Sequence, residues 1–114
     1  MEIKLPWPPK ELNPNARLHH HALARAKAAY KAACGWEMKA QGVKKLSASA
    51  LHVSLTFYPP DRRHRDLDNM LSSMKAGLDA LSAAVGVDDS LWSITIKKAP
   101  ETGGFVLINV EQKS

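Results

Sequence analysis

Leu51-His52-Val53-Ser54-Leu55-Thr56-Phe57-Tyr58 alternates at every step, with Leu51, Val53, Leu55 and Phe57 on one side and the more polar residues on the other. Successive strand side chains point to opposite faces, so the stretch predicts a half-buried β-strand. Pro59 and Pro60, which lack the N–H that a ladder needs, end it. Beyond them the period lengthens. Leu71, Met74, Leu78, Leu81 and Val85 recur every three or four residues, the apolar stripe of one helix running from about 67 to 85 and stopped by Gly86. Trp92, Ile94 and Ile96 then alternate with Ser93, Thr95 and Lys97, and Val106, Ile108 and Val110 repeat the pattern. Between these two strands Pro100-Glu101-Thr102-Gly103-Gly104 has turn chemistry, and an antiparallel hairpin is the simplest join.

Upstream, residues 22 to about 41 are rich in alanine and lysine, with Leu23, Ala26, Tyr30, Ala33 and Met38 roughly along one face and Gly42 as a stop. Residues 1–5 suit a short strand ended by Pro6, Pro8 and Pro9, and an ordered loop continues to about His21. The expected architecture is α+β, in the order β-α-β-α-β-β, with two helices packed on a small mixed sheet in one domain spanning residues 1–114.

A chain of 114 residues can bury one core. It has no apolar run of membrane-spanning length and its start lacks a signal peptide's basic and apolar regions, so a cytoplasmic protein with no membrane partner is expected. The single cysteine, Cys34, lies in an alanine-rich helical stretch and reads as a small buried filler rather than a nucleophile. The formal net charge is +5 and the pI about 9.5, which favours a polyanionic partner. Basic residues crowd into 17–45 and 62–65, whereas several of the few acids cluster at 61–68 and 88–89.

That distribution singles out Asp61-Arg62-Arg63-His64-Arg65-Asp66-Leu67-Asp68-Asn69. Asp66 and Asp68 would point to one side of an extended chain, and like charges held together repel unless a cation separates them. Magnesium meets that demand, because it binds one or two carboxylates, keeps several waters and accepts phosphate oxygen. A third carboxylate is available from Asp88 or Asp89. The structural reading is that Asp66 or Asp68 caps a helix and that Asp88 and Asp89 are turn residues. Arg62, Arg63, His64 and Arg65 suit phosphate contact, or else form a solvated run that pairs with Asp61 and Asp66. Lys75, seven residues after Asp68 on a continuous helix, would lie on nearly the same face, either balancing charge at a phosphate or pairing with Asp79.

The string RDLDN (Arg65 to Asn69), KAGLDAL (Lys75 to Leu81), VDD at 87–89, LPWPP at 5–9 and the glycines 103–104 together resemble the RusA family of crossover junction endodeoxyribonucleases over nearly the whole chain. The resemblance implies a homodimer that binds four-way DNA (Holliday) junctions and cuts them with Mg2+. It places the metal-site aspartates on Asp66, Asp68 and Asp89, the essential lysine on Lys75, and Asn69 after the second aspartate. The interval from RDLDN to KAGLDAL is three residues longer here than in the best-known member, and an ungapped alignment would put Ser72 at the lysine position. Asn13, Pro14, Asn15 and Arg17 match phage-type relatives, with Arg17 as a phosphate contact.

His19, His20 and His21 read as a polar, DNA-facing loop rather than a zinc site, since three adjacent histidines rarely converge on one metal. Trp7, Trp36 and Trp92 lie in apolar patterns that suit core or dimer contact better than base stacking. Two other functions fit the same residues: a nuclease preferring flaps or three-way junctions, and a non-catalytic basic DNA-binding protein whose acids cap the helix.

Overall fold

The inward residues of the alternating stretch are among the least exposed in the molecule: in a computed structural model that describes residues 1–113, Leu51, Val53, Leu55 and Phe57 expose at most 1% of their surface. They belong to β2 (Ala50–Tyr58), which runs down the middle of a four-stranded sheet. β1 (Glu2–Pro6), β3 (Trp92–Lys98) and β4 (Phe105–Lys113) complete the sheet in the order β1-β4-β2-β3. Three helices pack on it: α1 (His20–Ala40), α2 (Leu67–Ser73) and α3 (Lys75–Val85). One-turn 3-10 helices at Lys10–Leu12 and Asp89–Leu91 shape the loops. The class is therefore α+β with a mixed sheet, as expected, but three details differ.

First, β3 and β4 do not form a hairpin. β3 pairs with β2 in parallel, Leu51 opposite Trp92 and Leu55 opposite Ile96, while β4 pairs antiparallel with both β2 and β1. Parallel neighbours need a crossover, which α2 and α3 supply. The turn chemistry of residues 100–104 is used to carry the chain past the end of β2: the amides of Ala99, Gly103 and Gly104 donate to the carbonyls of Phe57, Pro59 and Tyr58 at 2.8, 2.8 and 2.7 Å. Burial explains the choice. Val106, Ile108 and Val110 of β4 are at most 3% exposed and need cover from both sides, whereas Ile94 of β3 is 43% exposed and the strand ends in Lys97 and Lys98. A half-covered strand ending in lysines suits a sheet edge, where charge discourages further pairing.

Second, the helix expected over 67–85 breaks at Met74 (φ −87°, ψ −4°), giving α2 and α3. The Met74 amide turns to the Leu71 carbonyl at 3.0 Å, and the buried Ser73 hydroxyl donates to the Asn69 carbonyl at 2.9 Å. Such a back-bond to the fourth preceding residue competes with the helical ladder and bends it. Apolar periodicity survives the break, since Met70, Met74, Leu78, Leu81 and Val85 all reach the core, and so the break was invisible to it.

Third, the buried stripe of α1 is Tyr30, Cys34 and Met38, and Ala33 faces solvent; Trp36 is 70% exposed, which removes the core half of its core-or-dimer reading. Trp7 and Trp92 are half-buried against the core. α1 and α3 approach closely at Gly77, where a Cβ would meet Met74 Cε and Tyr30 Cε2 at 3.2 Å and Cys34 Sγ at 3.3 Å. The Tyr30 hydroxyl donates to the Pro6 carbonyl at 2.6 Å and pins β1 to this helix pair. Burial pushes the Cys34 thiol up to about 11, which leaves it un-ionised at neutral pH and without nucleophilic use.

α3 ends on Gly86, which caps the helix in the left-handed conformation (φ 74°). Gly86→Ala is expected to destabilise the fold by about 1–2 kcal/mol, the cost of placing an L side chain there. A shift of the urea unfolding midpoint at constant slope would measure it, and an unchanged midpoint would count against the left-handed cap.

Candidate active site

A groove of about 550 Å³ lies between the N-terminal loop and the segment that enters α2. Trp7, Lys10, Asn13 and Asn15 line one wall; Asp61, Arg63, His64, Arg65, Asp66, Asn69 and Ser73 line the other. Sequence reasoning supplied the second wall but did not bring the first to it. Only the LPWPP and Asn13–Arg17 similarities hinted that the N-terminal loop belongs to the site. Arg17, just past this loop's asparagines, is exposed and holds φ 55°, the one non-glycine residue in the left-handed region among the described residues.

Asp66 precedes α2 and occupies its capping position, yet no helix amide donates to its carboxylate. The carboxylate meets His64 Nε2 at 3.0 Å on the surface instead. Capping therefore does not account for Asp66. Asp68 lies in the first turn of α2, exposed and without an ion pair among the described residues, where the positive end of the helix dipole favours a carboxylate. Because Asp66 is extended and Asp68 helical, the argument that both point one way along an extended chain does not hold.

The second acidic pair divides its work. Asp88 caps the 3-10 helix, accepting from the Ser90 amide at 3.1 Å and from the Ser90 hydroxyl, and these bonds hold its carboxyl below the usual carboxylate range. Asp89 does no capping. It stands 4.0 Å from Lys75 Nζ at the start of α3, and the same ammonium lies 3.7 Å from Asp79. The Asp79 partner of the structural reading is thus present, and Asp89 joins it beside the same ammonium. With the helix broken at Met74, the estimate that Asp68 and Lys75 share one continuous face no longer applies; Ser72 lies in α2 with Asp68, Lys75 in the next helix.

The basic run is partly paired, as its structural reading requires. Arg63 and Arg65 bond Asp61 at 3.2 and 2.8 Å. The Arg65 hydrogen bond, followed by the Arg63 amide, holds the Asp61 carboxyl well below its ordinary range. A depressed carboxyl stabilises the fold above its unfolded value and loses that contribution as pH falls, so the Asp61 and Asp88 contacts are expected to weaken only in strong acid. Arg62 is exposed and makes no ion pair among the described residues, which leaves it free for a phosphate.

His19, His20 and His21 stack with ring centroids 4.0–5.2 Å apart at the start of α1, where His19 Nδ1 accepts the His21 amide. Among the described residues no three histidine, cysteine, aspartate or glutamate side chains are grouped as a metal ion's ligands would be, either here or around Asp66, Asp68 and Asp89. Asp66, Asp68 and Asp89 nevertheless each offer carboxylate oxygen on an exposed side chain, the donor type that a hard divalent cation takes.

A family description, Endodeoxyribonuclease RusA, matches residues 6–111. The chain belongs to the RusA family. An uncharacterized protein of Xylella fastidiosa (strain Temecula1) is 39% identical over 93 residues, covering 76% of this chain and 59% of its own length, so the RusA-like region here spans somewhat more than half of that relative. The match includes both walls of the groove, α2, α3 and Asp89. No helix of the described residues is long and apolar enough to cross a membrane.

Proposed function

We propose that this RusA-family chain is a magnesium-dependent, structure-specific endodeoxyribonuclease that resolves four-way DNA junctions as a homodimer in the cytoplasm. The observation that carries the reading is that neither Asp66 nor Asp89 caps a helix with its side chain: Asp66 opens on a groove lined with cations, and Asp89 stands beside Lys75. Family membership supports an endodeoxyribonuclease and makes a bland capping role for all the acids the weaker account.

In this reading Asp66, Asp68 and Asp89 hold the ion. Bound there, magnesium supplies charge neutralisation at the scissile phosphate and a more acidic water. Lys75 steadies negative charge as it develops on the phosphate. Arg17, Arg62, Arg63, His64 and Asn69 follow the sugar-phosphate backbone, which positions the enzyme without specifying sequence. Resolution takes two symmetric nicks, and a two-fold dimer presents two such sites.

Cleavage of four-way, three-way, flap and linear substrates, each with and without magnesium, tests the proposal. Preference for paired nicks in the four-way junction supports it. Faster cutting of flaps or three-way junctions reassigns the substrate, and binding without cutting any substrate leaves only a basic DNA-binding protein. Arg62→Ala is expected to weaken binding evenly across branched substrates and to lower the slope of log affinity against log salt by about one. An unchanged slope would remove Arg62 from the phosphate path.

A further inference from the structure

One carboxylate ties two arginines of the basic loop together. Asp61 Oδ1 accepts from the Arg63 amide at 3.0 Å and from an Arg65 guanidinium nitrogen at 2.8 Å, and Oδ2 accepts from Arg63 Nε at 3.2 Å. The same Arg65 nitrogen donates to the carbonyls of Asp61 and Arg63, each at 3.3 Å. Arg65 differs from its neighbours in exposure: its side chain is 20% exposed, against 84% for Arg63 and 89% for His64. Its guanidinium lies 5.6 Å from the Trp7 ring centre, and Trp7 packs edge-on against the fully buried Phe57 at 6.0 Å.

These contacts form a continuous path from the core through Phe57, Trp7 and Arg65 to Asp61. Arg65 is also the residue before Asp66, so fixing its guanidinium fixes the peptide that delivers Asp66 to the groove. An acid within a cationic run beside a polyanion is unfavourable for binding, since it repels the phosphates that its neighbours attract. Yet Arg62, Arg63 and Arg65 would repel one another without it, and the loop would open. Of the two ion pairs the Arg63 one is too exposed to hold much. The Arg65 one is charge-assisted, shielded and shared with two carbonyls, so it is the one that sets the loop.

The geometry points to Asp61 as a positioning residue of the nuclease reaction, acting through Arg65 and Trp7 to aim Asp66 into the groove, with Arg65 serving as the clamp. This inference rests on the nuclease reading proposed above and adds to it a residue that touches neither metal nor DNA.

A double-mutant cycle over Asp61→Ala, Arg65→Ala and the double variant tests it. Single-turnover cleavage of a four-way junction at saturating protein gives the rate, junction affinity without divalent metal gives binding, and amide hydrogen exchange over residues 60–68 gives loop order. Each single variant is expected to lose about tenfold or more in rate, the double no more than the worse single, as expected for two residues in one path. Asp61→Ala should keep junction affinity within about threefold, because the charge it loses was repulsive. Both singles should raise exchange over 61–66 equally and leave the rest of the chain unchanged. Asp61→Asn retains an acceptor for the Arg63 amide, and its intermediate rate at unchanged melting temperature separates aiming from folding. Parental cleavage by Asp61→Ala, or multiplicative losses in the double variant, would overturn the clamp and leave the nuclease reading standing. A parent protein that cuts no branched DNA would overturn both, whatever the exchange data show.

Discussion

Asp68→Asn is expected to lower single-turnover cleavage of a four-way junction by about a thousandfold, roughly 4 kcal/mol of transition-state stabilisation. Asparagine keeps the shape and one acceptor oxygen but removes the charge that a hard cation requires. The site allows a clean experiment because Asp68 makes no ion pair among the described residues and does not cap α2. Only its favourable interaction with the helix dipole is lost, about 0.3–1 kcal/mol at an exposed position, so the variant should fold and melt close to the parent. Binding should move the other way. Removing a negative charge from a surface that meets phosphate should leave junction affinity in the absence of metal unchanged or slightly higher. Loss of cleavage without loss of binding is therefore the expected signature. Parental cleavage rates would remove Asp68 from the metal site, and a parallel fall in cleavage, binding and melting temperature would show that its role is structural.

What was legible in the chain follows from where its information is local. The alternation of Leu51 to Phe57 and the three-and-four spacing of Met74, Leu78, Leu81 and Val85 each fix which side chains turn inward, and these residues are in the core, with Leu71 partly buried against it. Partner choice among strands is not local. Residues 100–104 carry the chemistry of a tight turn whether they close a hairpin or wrap the end of β2, and the outcome depends on how much apolar surface β3 and β4 must cover. The break at Met74 was hidden for a different reason: it is made by a serine hydroxyl bonding back to the Asn69 carbonyl, and neither a proline nor a glycine announces it. Only the adjacent Ser72 and Ser73 offered a signal.

At the candidate site, the acidic positions were readable and their division of labour was not. Asp88 and Asp89 are identical in type and adjacent in sequence, and only the fold shows that one caps a 3-10 turn while the other faces Lys75. Arg65 reads as a phosphate contact in the basic run 62–65; the fold adds that its guanidinium bonds Asp61 and lies near Trp7 while still lining the groove. The contribution of Trp7, Lys10, Asn13 and Asn15 to the groove is a long-range fact: the Tyr30 hydroxyl holds the Pro6 carbonyl, and the Arg65 guanidinium lies 5.6 Å from the Trp7 ring centre.

Lys75→Ala should cut the cleavage rate by about a hundredfold, the order found when one preorganised donor to a developing oxyanion is removed, while leaving junction affinity nearly intact. Magnitudes decide between this and the structural reading. Lys75 is 72% exposed in both of its pairs, at 3.7 Å from Asp79 and 4.0 Å from Asp89. Exposed pairs of this kind contribute a few tenths of a kcal/mol, and alanine's better helix propensity offsets part of that loss. A purely structural lysine would therefore leave rate and melting temperature alike almost unmoved. Ser72→Ala provides the control, because Ser72 stands at the family's lysine position in an ungapped alignment yet offers only a neutral hydroxyl on exposed helix. Near-parental cleavage by Ser72→Ala together with the loss in Lys75→Ala would show that the chain supplies its cation from beyond the break at Met74. The reverse pattern would return the role to α2, and parental rates in both would mean that the phosphate is steadied by the arginines of the groove alone.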